Sequence, residues 1–218
     1  MRQVGKWLSW LLLALLIMLV CFETWAVFRA HAHTAAVLEA VRERPLRLES
    51  IPLRRVVMLL RVEDPGFFAH RGVDFSTPGA GMTTITQALV KRFYFDGFRP
   101  GFAKLEQSLI ARFALDPAMS KRDQLEVFIN YASFGTARGR DIIGFAAAAE
   151  HYYRRPFAAL TDREYLSLVA MLMAPNALDP IRHPQENAER VRRIEALLAD
   201  RCVPRGLRDV SYEDCAGR

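Results

Sequence analysis

From Trp7 to Phe22 the chain carries no charged residue, and after Glu23 the apolar character resumes through Phe28. Counted to Phe28, the block reaches the roughly 20 residues needed to cross a bilayer as a helix. Glu23 then falls near an interface beside Trp25, where a carboxylate and an indole are both tolerated. Arg2 and Lys6 precede the block, so the positive-inside rule places the N-terminus in the cytoplasm and the rest outside. A cleaved signal peptide is the competing reading, because Ala30-His31-Ala32 fits a small-x-small cleavage site. The uncharged run is too long for an ordinary signal-peptide core, which favours a retained anchor. The expected division is a cytoplasmic N-terminus over 1–6, a transmembrane signal-anchor over 7–28 and an extracytoplasmic domain over 33–218.

That domain is long enough for one proper core. The net charge of +6 suits anionic headgroups or phosphates on a tethered domain, and it equally fits a generically basic surface. No long basic run or nucleic-acid motif appears, so nucleic acid is not an expected partner. Of the three cysteines, Cys21 lies in the apolar block. Cys202 and Cys215 would meet an oxidising compartment, where a disulfide between them is plausible. Zinc is not expected, because no spaced His or Cys set completes four ligands.

The soluble part reads as helices with few strand signals. Ser120 can cap a helix in which Leu125, Phe128 and Ile129 recur at helical spacing. Thr161 to Glu164 has the form of a capping box before an apolar run that stops at Pro175. A helix is expected over about 185–200, and others over 33–43, 104–115 and 141–153. The stretch 93–102, FYFDGFRPGF, is too rich in aromatics, Gly and Pro for a regular helix. It reads as a loop folded over the core or, preferably, as an amphipathic patch dipping into the membrane interface.

Chemistry concentrates in two segments. Residues 61–75 read RVEDPGFFAHRGVDF, where apolar flanks can desolvate Glu63 and raise it toward the range of a general base. Asp64, Phe67 and His70 belong to the same segment, and His70 would either orient Glu63 or bridge a turn with Asp74. Residues 81–91, GMTTITQALVK, offer hydroxyls, an amide and backbone donors at a helix start, a setting suited to an anion. The plainer reading is simple Thr capping. Thr84 and Lys91 would share a helix face.

Together these segments resemble the first two motifs of the peptidoglycan glycosyltransferases. SKRDQLEVFINYASFG (120–135), GFAAAAEHYYRRP (144–156) and LTDREYLSLVAMLMAP (160–175) resemble later segments of that family, in the same order. The resemblance implies a mainly α, lysozyme-like domain on an N-terminal transmembrane helix of the bacterial inner membrane, with the domain in the periplasm. It implies polymerisation of lipid II onto a nascent glycan strand, with Glu63 as the base. Asp64, Phe67, His70, Thr83, Thr84, Gln87, Lys91, Lys104 and Asn130 would contact substrate. Some members use a divalent cation, Mg2+ or Mn2+, for which no dedicated ligand set is visible. Other wall-synthesis proteins are expected partners.

The third motif departs from the family pattern, which is Arg-Lys-x-x-Glu. It falls on Lys104-Leu105-Glu106-Gln107-Ser108, so a neutral serine stands where the second glutamate is usual. Glu106 is rotated roughly 200° from position 108 on a helix, pointing away. Ala88 replaces a glutamine, Met82 a glycine and Arg154 another glycine. A polymerase with an altered site, a lipid II- or glycan-binding relative that scaffolds other proteins, and a glycan-cleaving enzyme are all compatible with this pattern. The Thr-rich motif and Lys91 favour pyrophosphate handling.

Overall fold

The computed structural model describes residues 2–99, 101–137 and 139–215. Helix α1, Arg2–Ala40, runs without a break from the apolar block into the domain. From Lys6 it is long and apolar enough to cross a membrane. Its described side chains are exposed on all sides as far as Phe22, apart from half-covered Leu19, and then one stripe becomes buried: Glu23, Ala26, Ala30, Thr34, Val37 and Val41. These recur every three or four residues, so they share one helix face. That face packs on α4, Phe102–Ile110, and on the π-helical turn Ala111–Leu115 that follows. The expected helix over 33–43 is therefore the end of α1, not a separate element.

Residues 41–50 are bound to α6, Lys121–Tyr131. Arg44 pairs with Asp123 at 2.7 Å and with buried Glu126 at 3.3 Å. The Asn130 side chain accepts from the Leu46 amide and donates to its carbonyl. Ser120 caps α6 by accepting from the Asp123 amide, as its position in the sequence leads one to expect.

At the centre lies α8, Asp162–Met171, buried at every position from Tyr165 onward. Thr161 and Glu164 form its capping box. It packs between α2, Leu53–Glu63, and α9, Pro184–Leu198. Phe134, Phe145 and Phe157 cluster with its Tyr165, ring centroids 4.8 to 6.0 Å apart, edge-on except for the tilted Phe145–Tyr165 pair. The Tyr165 hydroxyl donates to the Arg55 carbonyl at 2.8 Å, so this central aromatic buries no orphan polar atom.

Two expected helices are revised. The one over 104–115 is α4 only to Ile110, then the π turn, then a short α5, Asp116–Ala118. The one over 141–153 begins as a strand: β1, Ser133–Ala137, pairs antiparallel with β2, Arg140–Ile143, and α7 covers Phe145–Tyr153. A short apolar run such as Ile142-Ile143 suits either state until a partner strand is known. Cys202 and Cys215 are joined as a disulfide across a Cα–Cα distance of 5.6 Å.

Candidate active site

Glu63 is the last residue of α2, whose buried face (Arg55, Met58, Leu59, Val62) anchors it to the core. It faces a cleft of about 700 Å³. The cleft is lined also by Thr83, Thr84, Ala88, Lys91 and Arg92, by Phe95, Asp96 and Phe98, and by Ser133, Thr136 and Asn176. Glu63 and Asp96 are the only carboxylates on this wall among the described residues. Burial pushes the Glu63 carboxyl up to about 7; Arg190 pulls against that and neighbouring Asp64 adds to it. A carboxylate poised near neutrality matches what a general base at physiological pH requires.

The second wall is the start of α3, Ile85–Phe93. Thr84 and Gln87 form a full capping box, and the Thr84 hydroxyl donates to the Gly72 carbonyl at 2.7 Å. Asp64, wholly buried, accepts from the Ile85 amide at 2.9 Å and from His70 Nε2 at 2.9 Å. His70 therefore neither orients Glu63 nor bridges a turn with Asp74, as the sequence suggested. It pins Asp64 to the head of α3, which holds the two motifs together. Asp74 caps its own turn instead: burial opposes ionisation, but hydrogen bonds from Thr77 and Ser76 bring it down to about 2. Gly72 adopts φ +85° with the Ala111 carbonyl so close that an added Cβ would lie 2.5 Å from its oxygen. Only glycine fits there.

Lys91 and Thr84 line the cleft together, as their spacing implies. Lys104 donates to Thr83 Oγ1 at 2.7 Å. Its ammonium is held below the usual lysine range by burial and by repulsion from Lys91. Lys91 and Lys104 repel each other and Lys104 holds the Thr83 hydroxyl, an arrangement that an anion would relieve. Ser108 accepts from the Gln87 side chain at 2.8 Å and donates back to the Lys104 carbonyl, so its hydroxyl is consumed inside the α3–α4 contact. Leu105 is exposed, and Glu106 lies toward Glu23 of α1, away from the cleft. Phe67 is buried beneath the Lys121 ammonium, 4.7 Å from its ring centroid.

The structure thus gathers Glu63, Thr83, Thr84, Ala88 and Lys91 on one cleft, with Lys104 joined through Thr83. Phe67, Asp64, His70 and Gln87 support its walls. Asn130 is not part of it, since its amide is committed to Leu46. Of the described part of the 93–102 stretch, Phe95, Asp96, Gly97 and Phe98 line the cleft, Phe93, Tyr94 and Phe95 pack against the core, Lys91 sits 5.3 Å from the Phe98 ring centroid, and Phe102 opens α4 exposed. Sequence reading missed Arg92, Asp96, Thr136 and Asn176. Arg92 and Asp96 stood beside noted residues, whereas Thr136 and Asn176 meet only through the fold. No group of three His, Cys, Asp or Glu side chains fit to hold a metal occurs among the described residues.

Residues 31–199 match the family model described as Transglycosylase, more than three-quarters of the chain. The chain belongs to the transglycosylase family. Among its relatives is a biosynthetic peptidoglycan transglycosylase of Brucella suis, 31% identical over 78% of this chain and 78% of the relative. A protein of the same name from Alcanivorax borkumensis is 33% identical over 67% of this chain and 63% of its own length. Penicillin-binding protein 1F of Bacillus subtilis is 29% identical over 76% of this chain, which spans only 24% of that longer protein.

Proposed function

We propose that the protein is a membrane-anchored peptidoglycan glycosyltransferase that polymerises lipid II. The observation that carries this reading is the cleft itself, with a carboxylate held near neutrality at one end and a Lys91–Thr83–Lys104 anion site along its side. Glu63 takes the proton from the acceptor's 4-hydroxyl as that oxygen attacks the anomeric carbon of the donor chain with inversion. The bond to undecaprenyl pyrophosphate breaks, and its developing charge falls to Lys91, Lys104 and the Thr83 hydroxyl. Asp96 supplies the second negative charge on the cleft wall that Ser108 does not.

Helix α1 would cross the inner membrane with its N-terminus in the cytoplasm, leaving the cleft on the periplasmic side. A lipid II-binding scaffold without turnover would keep the cationic wall but would not need a carboxylate near neutrality. Steady-state polymerisation by full-length protein separates the two. Lys91→Ala is expected to lower kcat/KM about 100-fold, and Asp96→Asn about tenfold. Unchanged rates in both variants would remove the assigned roles.

A further inference from the structure

The family match ends at residue 199, yet the chain continues into a tail that returns to the site. The tail is closed by the Cys202–Cys215 disulfide, and both cysteines are buried. Within it, Tyr212 is 1% exposed and its hydroxyl donates to the carbonyl of Val62 at 2.9 Å, one residue before Glu63. The Tyr212 ring lies against the Arg190 guanidinium, 4.5 Å from centroid to carbon. Arg190 is 5% exposed, and its Nε and Nη1 have no hydrogen-bond partner. Its charge is met by Tyr212, ring and hydroxyl, and by Glu63.

The same tail reaches the opposite wall. The amides of Gly79 and Gly81 donate to the carbonyls of Gly206 and Leu207 at 3.0 and 2.8 Å. Both glycines have positive φ, and an added Cβ would lie 2.7 Å from Pro204 at Gly79 and 2.8 Å from Val210 at Gly81. This loop leads directly into Thr83. One disulfide-closed segment thus touches the residue before the base and the loop before the anion site.

We propose that the tail is a positioning element of the catalytic centre: Tyr212 holds Arg190 behind Glu63 while Gly206 and Leu207 fix the loop that presents Thr83. The proposal rests on the reading of Glu63 as the base. Four groups face Glu63 electrostatically: Asp64 at the end of its own helix, Arg190 on α9, Tyr165 on α8 and Tyr212 on the tail. Arg190 is faced in turn by Arg193 and Tyr212, and Tyr212 by Asp209. Of these, Arg190 alone favours the Glu63 carboxylate, so moving its charge away while Glu63 stays buried raises the pH at which Glu63 ionises.

The test is a carbon-13 NMR titration of the Glu63 carboxyl in detergent-solubilised full-length protein, assigned by difference against Glu63→Gln. It reads Glu63 whether or not glycan is made, so its failure is distinct from failure of the proposed function. Tyr212→Leu and the double variant Cys202→Ser/Cys215→Ser are each expected to shift the midpoint upward by about half a pH unit or more. Tyr212→Phe keeps the ring under Arg190 but loses the hydroxyl, and should shift the midpoint less than Tyr212→Leu does. A purely structural tail would move the melting temperature and leave the midpoint in place. Unshifted midpoints in variants that still melt cooperatively overturn the proposal. Failure of both Tyr212→Leu and the cysteine variant to fold also overturns it, because the tail would then belong to the fold and not to the site.

Discussion

Glu63 is costly to the fold that holds it. Its carboxyl is raised from 4.5 to about 7, so the folded state binds its proton more tightly than the unfolded chain does. The stability this contributes is full below pH 4.5 and is lost as pH rises through 7. Glu63→Gln should therefore melt like wild type at pH 4 and be more stable by about 2 kcal/mol at pH 8, allowing for the partial exposure of the carboxylate. Equal melting temperatures at both pH values would mean that Glu63 is not desolvated. The kinetic counterpart is an acid limb in kcat/KM centred near 7. The position of Glu63 was legible in its apolar flanks. Its electrostatic partner Arg190 was not, since a charged residue in an amphipathic helix reads as solvated until the fold buries it.

At the level of elements, caps explain why so much of the helical plan could be read directly. Thr84, Ser120 and Thr161 each satisfy amides within three residues of themselves, so the signal is local and complete in the sequence. The π turn at Ala111–Leu115 and the β1–β2 hairpin have no such signal. The hairpin needs Ser133 opposite Ile143, and the π turn lies against α1 and Gly72, contacts made only after the chain has folded back. Arg154 marks a place where local chemistry and fold disagree. It ends α7 in the left-handed region at φ 54°, a conformation that favours glycine. Arg154→Gly is expected to stabilise the protein by about 1 kcal/mol in thermal melts, whereas a lower melting temperature would show that the arginine contributes contacts outweighing its strain.

For the whole molecule, the membrane segment and the catalytic domain share one helix. The buried stripe from Glu23 to Val41 seats α1 on α4 and the π turn, and Thr34 hydrogen-bonds the Tyr94 hydroxyl at 2.8 Å. A chain starting at Glu23 should keep a cooperative melt. One starting at Arg42 should lose roughly 3–5 kcal/mol through the missing Ala26, Ala30, Thr34, Val37 and Val41 contacts. Equal stability of the two truncations would show that the helix is only a tether. The expected boundary between anchor and domain at 28–33 was read from hydropathy, which ends where the apolar run ends. The packing starts earlier, at Glu23, and runs on through Ala26, Ala30 and Thr34.

The most direct measurement is glycan formation from labelled lipid II by purified full-length protein, with Glu63→Gln and Ser108→Glu alongside. Wild type is expected to make glycan strands and Glu63→Gln to fall by three orders of magnitude or more. Glycan made only by Ser108→Glu, with wild type inactive, would contradict the account and leave the natural protein a binder of lipid II.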